Sequence, residues 1–271
     1  MKIKDKFFGY ENFGVCIVLY KKSRAEVAAY IERASASQIR HFIYLNSCEN
    51  NAEVDRPNIK VMSSDNIGLA RPFNLALSFF SSCGVENVLI LDDDTVILDW
   101  KQTAEVLFRA AQGCFEKEPR LAGLSCGNES PGKEGGKIWG FINSGLILNC
   151  QRSLAVGGFD ESYFVEMVDY TFALRVYSGG YYVRRIGAKG YIDRYTGQAK
   201  LPPTIFGKPI FFLREYNEAR KVEIKSSALR LLRDAASRFN IRIMTVSLFV
   251  LLSFYFFQSI RFFVKGQWLR K

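Results

Sequence analysis

Asp92, Asp93 and Asp94 stand together directly after Val88-Leu89-Ile90-Leu91, with Thr95 behind them. Three adjacent carboxylates repel one another unless a positive charge sits among them. A hard divalent cation carrying a diphosphate would supply that charge. Mg²⁺ takes one or two carboxylate oxygens and completes its shell with water and phosphate. The other reading is a solvated acidic turn ahead of a helix. The four apolar residues read as a strand buried on both faces, which points to a largely parallel α/β sheet. Ligands of open α/β sheets bind at the carboxyl ends of strands, which is where this triplet would stand.

The elements that must hold the triplet can be read around it. Val15 to Tyr20, His41 to Leu45 and Ile59 to Met62 have the composition of strands. Ser23 offers an N-cap to an amphipathic helix through Ala28, Ile31 and Ala34. Leu69 to Phe80 suits a helix with Pro72 in its first turn, and Thr103 to Phe115 suits another. Strands spaced by helical patterns indicate βαβ units. Beyond them, Leu121 to Cys126 and Gly145 to Asn149 read as strands, and Gly127 to Gly136, without an apolar period, as a mobile loop. Gly157-Gly158-Phe159-Asp160 is a turn. Val168 to Tyr177 is a helix ended by Gly179-Gly180, and short strands are expected at Tyr181 to Arg185 and near Tyr191.

Composition narrows the classes. At 271 residues and 48% hydrophobic content the chain can bury a full core, which excludes a disordered protein. Six cysteines lie far apart with no Cys-x-x-Cys spacing, so reduced thiols are expected instead of a disulfide framework or zinc site. Met1 to Lys6 is charged and the first apolar run is short, so no cleavable signal peptide is expected and the active portion should be cytoplasmic. The net charge of +10 is concentrated at one end: Phe211 to Lys271 holds 12 Lys and Arg against 4 Asp and Glu. The aromatic residues there fall in an apolar stretch instead of alternating with the basic ones. This composition argues against nucleic acid and for an anionic membrane surface.

Several short motifs follow one another in a recognisable order. They are Asn66-Ile67-Gly68-Leu69-Ala70-Arg71-Pro72-Phe73-Asn74, then Leu91-Asp92-Asp93-Asp94-Thr95, then Asn143-Ser144-Gly145. Gly157-Gly158-Phe159-Asp160, Phe164-Val165-Glu166-Met167-Val168-Asp169 and Leu174-Arg175 complete the set. In these motifs, over roughly residues 14 to 200, the chain resembles the bacterial family-2 glycosyltransferases of GT-A fold, especially the rhamnosyltransferase-like members. The resemblance implies an α/β fold of GT-A type, Rossmann-like, with a mostly parallel central sheet. The catalytic domain would span 1–205, its nucleotide-binding half about 1–100 and its acceptor half about 101–205, followed by a helical tail over 206–271.

It also implies roles. Asp94 and Asp92 would hold Mg²⁺ or Mn²⁺, although Asp92 could instead bond the donor's ribose or a metal-bound water. Asp169 would be the base that takes the acceptor's proton; its alternative is an acidic residue favoured by the helix dipole. A single base opposite the leaving group implies inversion at the sugar carbon. Tyr20, Asn46, Asp65, Gly68, Arg71 and Asp93 would line the donor side. Asn143, Ser144, Gly145 and Glu166 would meet the acceptor. Tyr20 would stack on or edge the base, or be a surface tyrosine at a strand end.

The chain departs from the family at three places. Leu45-Asn46-Ser47 stands where an Asp-Asn pair often reads the base. Thr171 replaces an acidic residue two positions after the base. The usual metal histidine is missing, since the one histidine, His41, lies elsewhere. Asp193 could replace it as an oxygen ligand, or Arg194 could contact the diphosphate.

From Ile243 to Ile260 there are eighteen residues without a charge, about 27 Å of helix, short for a core of about 30 Å. Basic residues flank both ends. A helix lying in the cytoplasmic interface of the cell membrane, with Trp268 near the headgroups, is expected. The alternative is a helix packed on the catalytic domain or in a homo-oligomer interface. The function implied is an inverting transfer of a sugar, plausibly rhamnose, from a dTDP- or UDP-sugar to a glycan acceptor, lipid-linked, in cell-surface polysaccharide synthesis. Two rivals are a non-catalytic membrane-bound sugar-binding or scaffold protein of the same fold and a nucleotidyltransferase. The latter would show a glycine-rich basic loop where Tyr20-Lys21-Lys22-Ser23-Arg24 has no glycine.

Overall fold

A computed structural model describes residues 12–37, 39–48, 56–130, 132–141, 143–193, 204–205, 208–209, 218–249, 251–252 and 255–256. The chain divides into two compact units, Met1–Gly197 and Gln198–Lys271.

The first unit is built on strands β1 (Phe13–Tyr20), β2 (Arg40–Asn46), β3 (Ile59–Ser64), β4 (Asn87–Asp92), β6 (Leu121–Gly127), β7 (Glu134–Ile138), β8 (Leu146–Asn149) and β9 (Tyr182–Gly187). They form one mixed sheet in the order β3-β2-β1-β4-β8-β6-β9-β7. Neighbours β3, β2, β1 and β4 are parallel; β8 runs antiparallel to β4 and β6, and β7 antiparallel to β9. Six of the eight strands therefore run one way, and their carboxyl ends share one edge. The short β5 (Val96–Ile97) pairs with β10 (Ile192–Asp193) beside that edge.

The period-2 alternation of the strands separates two cores. Phe13, Val15, Ile17 and Leu19 face one cluster with α1 (Arg24–Ala36) and the helical run from α3 (Trp100–Gln102) through a π-helical turn (Thr103–Phe108) into α4 (Arg109–Lys117). Gly14 points the other way, towards α2 (Ala70–Ser82), where a Cβ would overlap the Phe80 ring. On that side Phe159 stacks on Phe172 at 4.3 Å and meets Phe73 at a tilt at 5.1 Å, joining α2 to α6 (Val168–Ser178) beside α5 (Cys150–Ala155). Helices on both faces explain why the central strands are apolar throughout. Ser23 caps α1 with a full capping box: its hydroxyl accepts from Glu26 N, and Glu26 Oε2 accepts from Ser23 N at 2.9 Å.

One expected loop is an ordered element. The polar stretch after Gly127 carries β7, and Gly132 N donates to Gly187 O at 3.0 Å. Its sequence lacks an apolar period because none of its five residues is buried, so neither face of this edge strand needs an apolar side chain. Its place is fixed instead by Arg184, which donates to Gly135 O and pairs with Glu134 and Glu118.

The second unit holds β11 (Thr204–Ile205) and β12 (Lys208–Pro209), α7 (Glu218–Ser237) and a further helix over 241–249. Ile224, Ala228, Leu231 and Ala235 are buried along one stripe of α7, at helical spacing. Phe239 turns the chain with φ +51°, and the Asn240 side chain caps Ile243 N at 3.1 Å. The Lys225 ammonium lies 4.9 Å from the Tyr255 ring, so the chain folds back along α7. Among the described residues no helix is long and apolar enough to cross a membrane. Arg194, Trp268 and most of the far half of the uncharged run lie outside the described residues.

Candidate active site

The acidic triplet closes β4 at the carboxyl edge of the sheet. The Asn143-Ser144-Gly145 turn props it from below. Gly145, with φ +75°, donates its N–H to Ile90 O at 2.8 Å and accepts from Cys126 N at 2.9 Å. The Ser144 hydroxyl accepts from Asp92 N at 3.1 Å and shares a short hydrogen bond with the Thr95 hydroxyl. All three turn residues are buried. Of the three acceptor candidates, Ser144 and the Gly145 backbone brace the triplet, while the Asn143 amide oxygen is buried and accepts no hydrogen bond among the described residues. Sequence could supply the residue types but not the pairing of β8 between β4 and β6 that brings the turn there.

Asp93 is met by Lys22 at 3.2 Å, a cation from the loop after β1. The basic run Tyr20-Lys21-Lys22 carried that possibility, but only the parallel pairing of β1 with β4 joins the two strand ends. With Asp93 engaged, Asp92 and Asp94 are the carboxylates to consider for a metal. Among the described residues no group of three or more His, Cys, Asp or Glu side chains is gathered to hold an ion. Two hard oxygen donors suit Mg²⁺ or Mn²⁺ shared with a diphosphate, not an ion caged wholly by protein. Asp193 pairs backbone to backbone with Val96, two residues beyond Asp94. Its side chain lies outside the description.

The donor-side candidates gather along the same edge. Tyr20 ends β1, 41% exposed, with the Lys21 ammonium 5.3 Å from its ring. Asp65 and Arg71 are exposed at the two ends of the loop before α2. Asn46 is placed otherwise than expected. It is 2% exposed; its amide donates to Gly68 O at 3.2 Å and accepts from Ile67 N at 3.3 Å. Its work is to hold the 67–68 loop, so it is not open to a base.

That loop is locked to the segment leading into α6. Gly68 has φ +79°, and a Cβ there would overlap the Phe164 carbonyl. Leu69 N donates to that same carbonyl at 2.8 Å. Asn74 clamps the next turn, accepting from Phe159 N at 2.8 Å and donating to Phe159 O and to Glu161 at 2.9 Å each. Arg175 reaches back from α6 to Asp160 at 2.7 Å and to Gly157 O at 2.8 Å. The sequence places Asn74 in the motif but indicates no role for it; its three bonds cross 85 or more positions, beyond any local pattern.

Asp169 stands in the first turn of α6, after Met167 in a left-handed conformation, φ +65°. Because α6 returns the chain to the start of β9, its first turn lies at the carboxyl edge with the triplet. Burial pushes the Asp169 carboxyl from the ordinary 3.8 up to about 7, and the charge of nearby Glu166 adds to the rise. Hydrogen bonds from Tyr170 N, at 2.9 Å, and from its own N–H oppose it. A carboxylate poised near neutrality is what a general base requires. Thr171 is buried, its hydroxyl donating to Val168 O at 2.9 Å, so it faces the helix itself.

No protein-family model matches the chain. No curated protein matches it in sequence. Among solved structures it is similar to S. aureus TarS at 14% identity and a TM-score of 0.49, over 82% of this chain and 40% of that one. The form TarS 1–349 gives 14% and 0.48, over 90% of this chain and 70% of that one. The UTP-bound UGPase from Acinetobacter baumannii gives 12% and 0.43, over 69% and 89%. The chain thus spans less than half the length of the full TarS chain. Likenesses this distant say nothing about donor, acceptor or reaction.

Proposed function

We propose that the protein is an inverting glycosyltransferase that moves a sugar from a nucleotide-sugar to a glycan acceptor. The observation that carries this reading is the placement of Asp169 in the first turn of α6, at the sheet edge that also bears Asp92-Asp93-Asp94, with burial pushing its carboxyl upward. Asp169 takes the proton of an acceptor hydroxyl as its oxygen bonds the anomeric carbon. The bond from that carbon to the diphosphate breaks on the opposite face, so the configuration inverts and a nucleoside diphosphate leaves. Lys22 and Arg71 supply positive charge towards the phosphates, and Tyr20 offers a ring to the base. A divalent cation at Asp92 and Asp94, with Asp193 as a third oxygen, would neutralise charge on the departing diphosphate. The Ser144–Thr95 brace keeps these carboxylates in place.

The donor is proposed to be a dTDP- or UDP-sugar, with rhamnose as the leading sugar, and the acceptor a lipid-linked glycan of cell-surface polysaccharide synthesis. An attachment to the inner face of the cell membrane goes with this. Phe239, at 90%, Ile241, Leu248 and Leu252 are exposed, as are Arg233 and Arg238 in the same unit, a composition suited to an anionic bilayer surface. A panel of sugar nucleotides, with and without Mn²⁺ and glycan acceptor, tests the reading. Nucleoside diphosphate release that depends on the acceptor is expected. Release of pyrophosphate would indicate a nucleotidyltransferase, and no turnover with any donor a binding protein.

A further inference from the structure

The turn that joins the two helices of the second unit is a Schellman motif. Asn240 N donates to Ala235 O at 2.8 Å and Phe239 N to Ala236 O at 3.0 Å, which closes α7 and puts Phe239 at the left-handed position, φ +51°. Glycine is the usual residue there, because a side chain strains that conformation. Asn240 suits the next step: its Oδ1 accepts from Ile243 N at 3.1 Å and its carbonyl from Met244 N at 3.0 Å, capping the helix over 241–249. The turn is thus hydrogen-bonded without help from the Phe239 ring. That ring is 90% exposed, and Ile241 beside it 74%. A large apolar side chain stands at the position of the turn that favours its absence, and packing within the chain does not offset the strain. An outlier of this kind points to a contact outside the chain.

Charge identifies that contact. From Ala235 to Lys271 the sequence holds six Lys and Arg and no Asp or Glu. Arg238 and Arg242, both exposed, stand on either side of Phe239 and Ile241. Long basic side chains around an apolar tip suit an anionic bilayer: their stems cover apolar surface while the guanidiniums reach lipid phosphates. Asp234, the acidic residue nearest the turn, has Arg230, Arg233 and Arg238 within four positions of it. The next, Glu223, lies about 20 Å back along α7, more than two Debye lengths at physiological salt. Entry by the turn keeps Glu218 and Glu223 clear of the lipid phosphates, whereas a helix pair lying flat would bring them to the surface.

We propose that the 238–242 turn, led by Phe239, is the part of the protein that enters an anionic bilayer. This rests on the membrane attachment proposed above and is independent of the transfer chemistry. The full chain is tested with vesicles of phosphatidylglycerol and phosphatidylcholine, and with phosphatidylcholine alone. Phe239→Gly relieves the backbone, so it should melt no lower than the parent, yet bind anionic vesicles about tenfold more weakly. Where the glycine variant melts lower, Phe239→Asn, also at home at positive φ, gives the same loss. Arg238→Ala should weaken binding about fivefold. Phe239→Trp and Leu248→Trp compare depth, since position 248 stands about 10 Å along its helix from Ile241. Quenching by acyl-chain bromines, above that of the three native tryptophans, should be strong at 239 and weak at 248. A parent that stays free of anionic vesicles removes the attachment and the proposal with it. Parent binding that Phe239→Gly and Phe239→Asn leave unchanged, or equal quenching at both positions, keeps the attachment and overturns entry by the turn. A parent dimer that Phe239→Gly converts to a monomer, with vesicle binding unchanged, gives the turn to a second copy instead.

Discussion

Replacing Asp169 by Asn should abolish turnover and at the same time stabilise the protein in a pH-dependent way. The variant keeps the shape and the bond from Tyr170 N but cannot carry charge or take a proton. In the folded protein the Asp169 carboxyl lies at about 7, against 3.8 when solvated, so folding favours its protonated form. Stability from this group is therefore full below about pH 4 and is lost as pH rises towards 7. The whole difference corresponds to about 4 kcal/mol as an upper bound, at about 1.4 kcal/mol per pH unit within the window. The gain of Asp169→Asn over the parent should thus be small at pH 4 and reach about 2 kcal/mol or more by pH 7.5.

His41 opposes this slope in the parent. Burial beside Trp100 lowers its imidazole from 6.5 to about 3, with Nε2 bonded to the Ser37 hydroxyl at 2.9 Å. Its contribution is present above pH 6.5 and lost as pH falls. Between about pH 4 and 6.5 the two groups cancel, and each single variant exposes the other. Asp169→Asn should become acid-sensitive, and His41→Asn should lose stability as pH rises. Urea unfolding of parent and variants at pH 4.5, 6 and 7.5 measures this. A gain for Asp169→Asn that is the same at all three values would refute a buried, raised carboxyl. In transfer assays the parent rate should climb with pH through about 7, and the variant should lose about 10²–10⁴-fold. Near-parent turnover at saturating substrates would remove Asp169 from the chemistry.

Three further outcomes follow from the geometry. Gly68→Ala must take both a left-handed φ and a collision with the Phe164 carbonyl, whereas Gly84→Ala, φ +71°, meets nothing. The first should cost at least about 2 kcal/mol and the second about 1 kcal/mol in thermal melts, and equal losses would contradict the locked loop. Asp94→Ala should bind donor no more tightly with Mn²⁺ than without it, whereas the parent should gain affinity; calorimetry giving the same Mn²⁺ gain in both removes Asp94 from a metal site. The full chain should sediment with vesicles containing phosphatidylglycerol but not with purely zwitterionic ones, and Phe239→Ser should weaken this several-fold; indifference to lipid charge would count against a basic interface.

How much of the site was legible depends on whether local pattern or distant pairing decides each residue. The strand before Asp92, the N-cap at Ser23 and the helix at Asp169 follow from composition and period within a few positions, and the structure has all three. Gly68 was readable as a close-approach glycine and has a positive φ, whereas Gly145, expected to begin a strand, also has one. Partners were not readable. Asn46 matched a base-reading position, yet β2 sets its amide against the 67–68 loop. Ser144 was assigned to the acceptor, yet it holds Asp92 N. Glu134 to Ile138 has no strand pattern because its neighbour β9 supplies the reason for it to extend.

The sequence alone determined an α/β sheet and three acidic side chains at the carboxyl end of a buried strand, since backbone propensity and side-chain alternation are written along the chain. Only the tertiary structure decided which charges meet. Lys22 reaches Asp93 because β1 lies beside β4. Asp169 rises to about 7 because the surrounding protein removes it from water and Glu166 lies near it. Solvation and Coulomb interactions act through space, so a carboxylate's readiness to take a proton depends on packing between segments far apart in sequence.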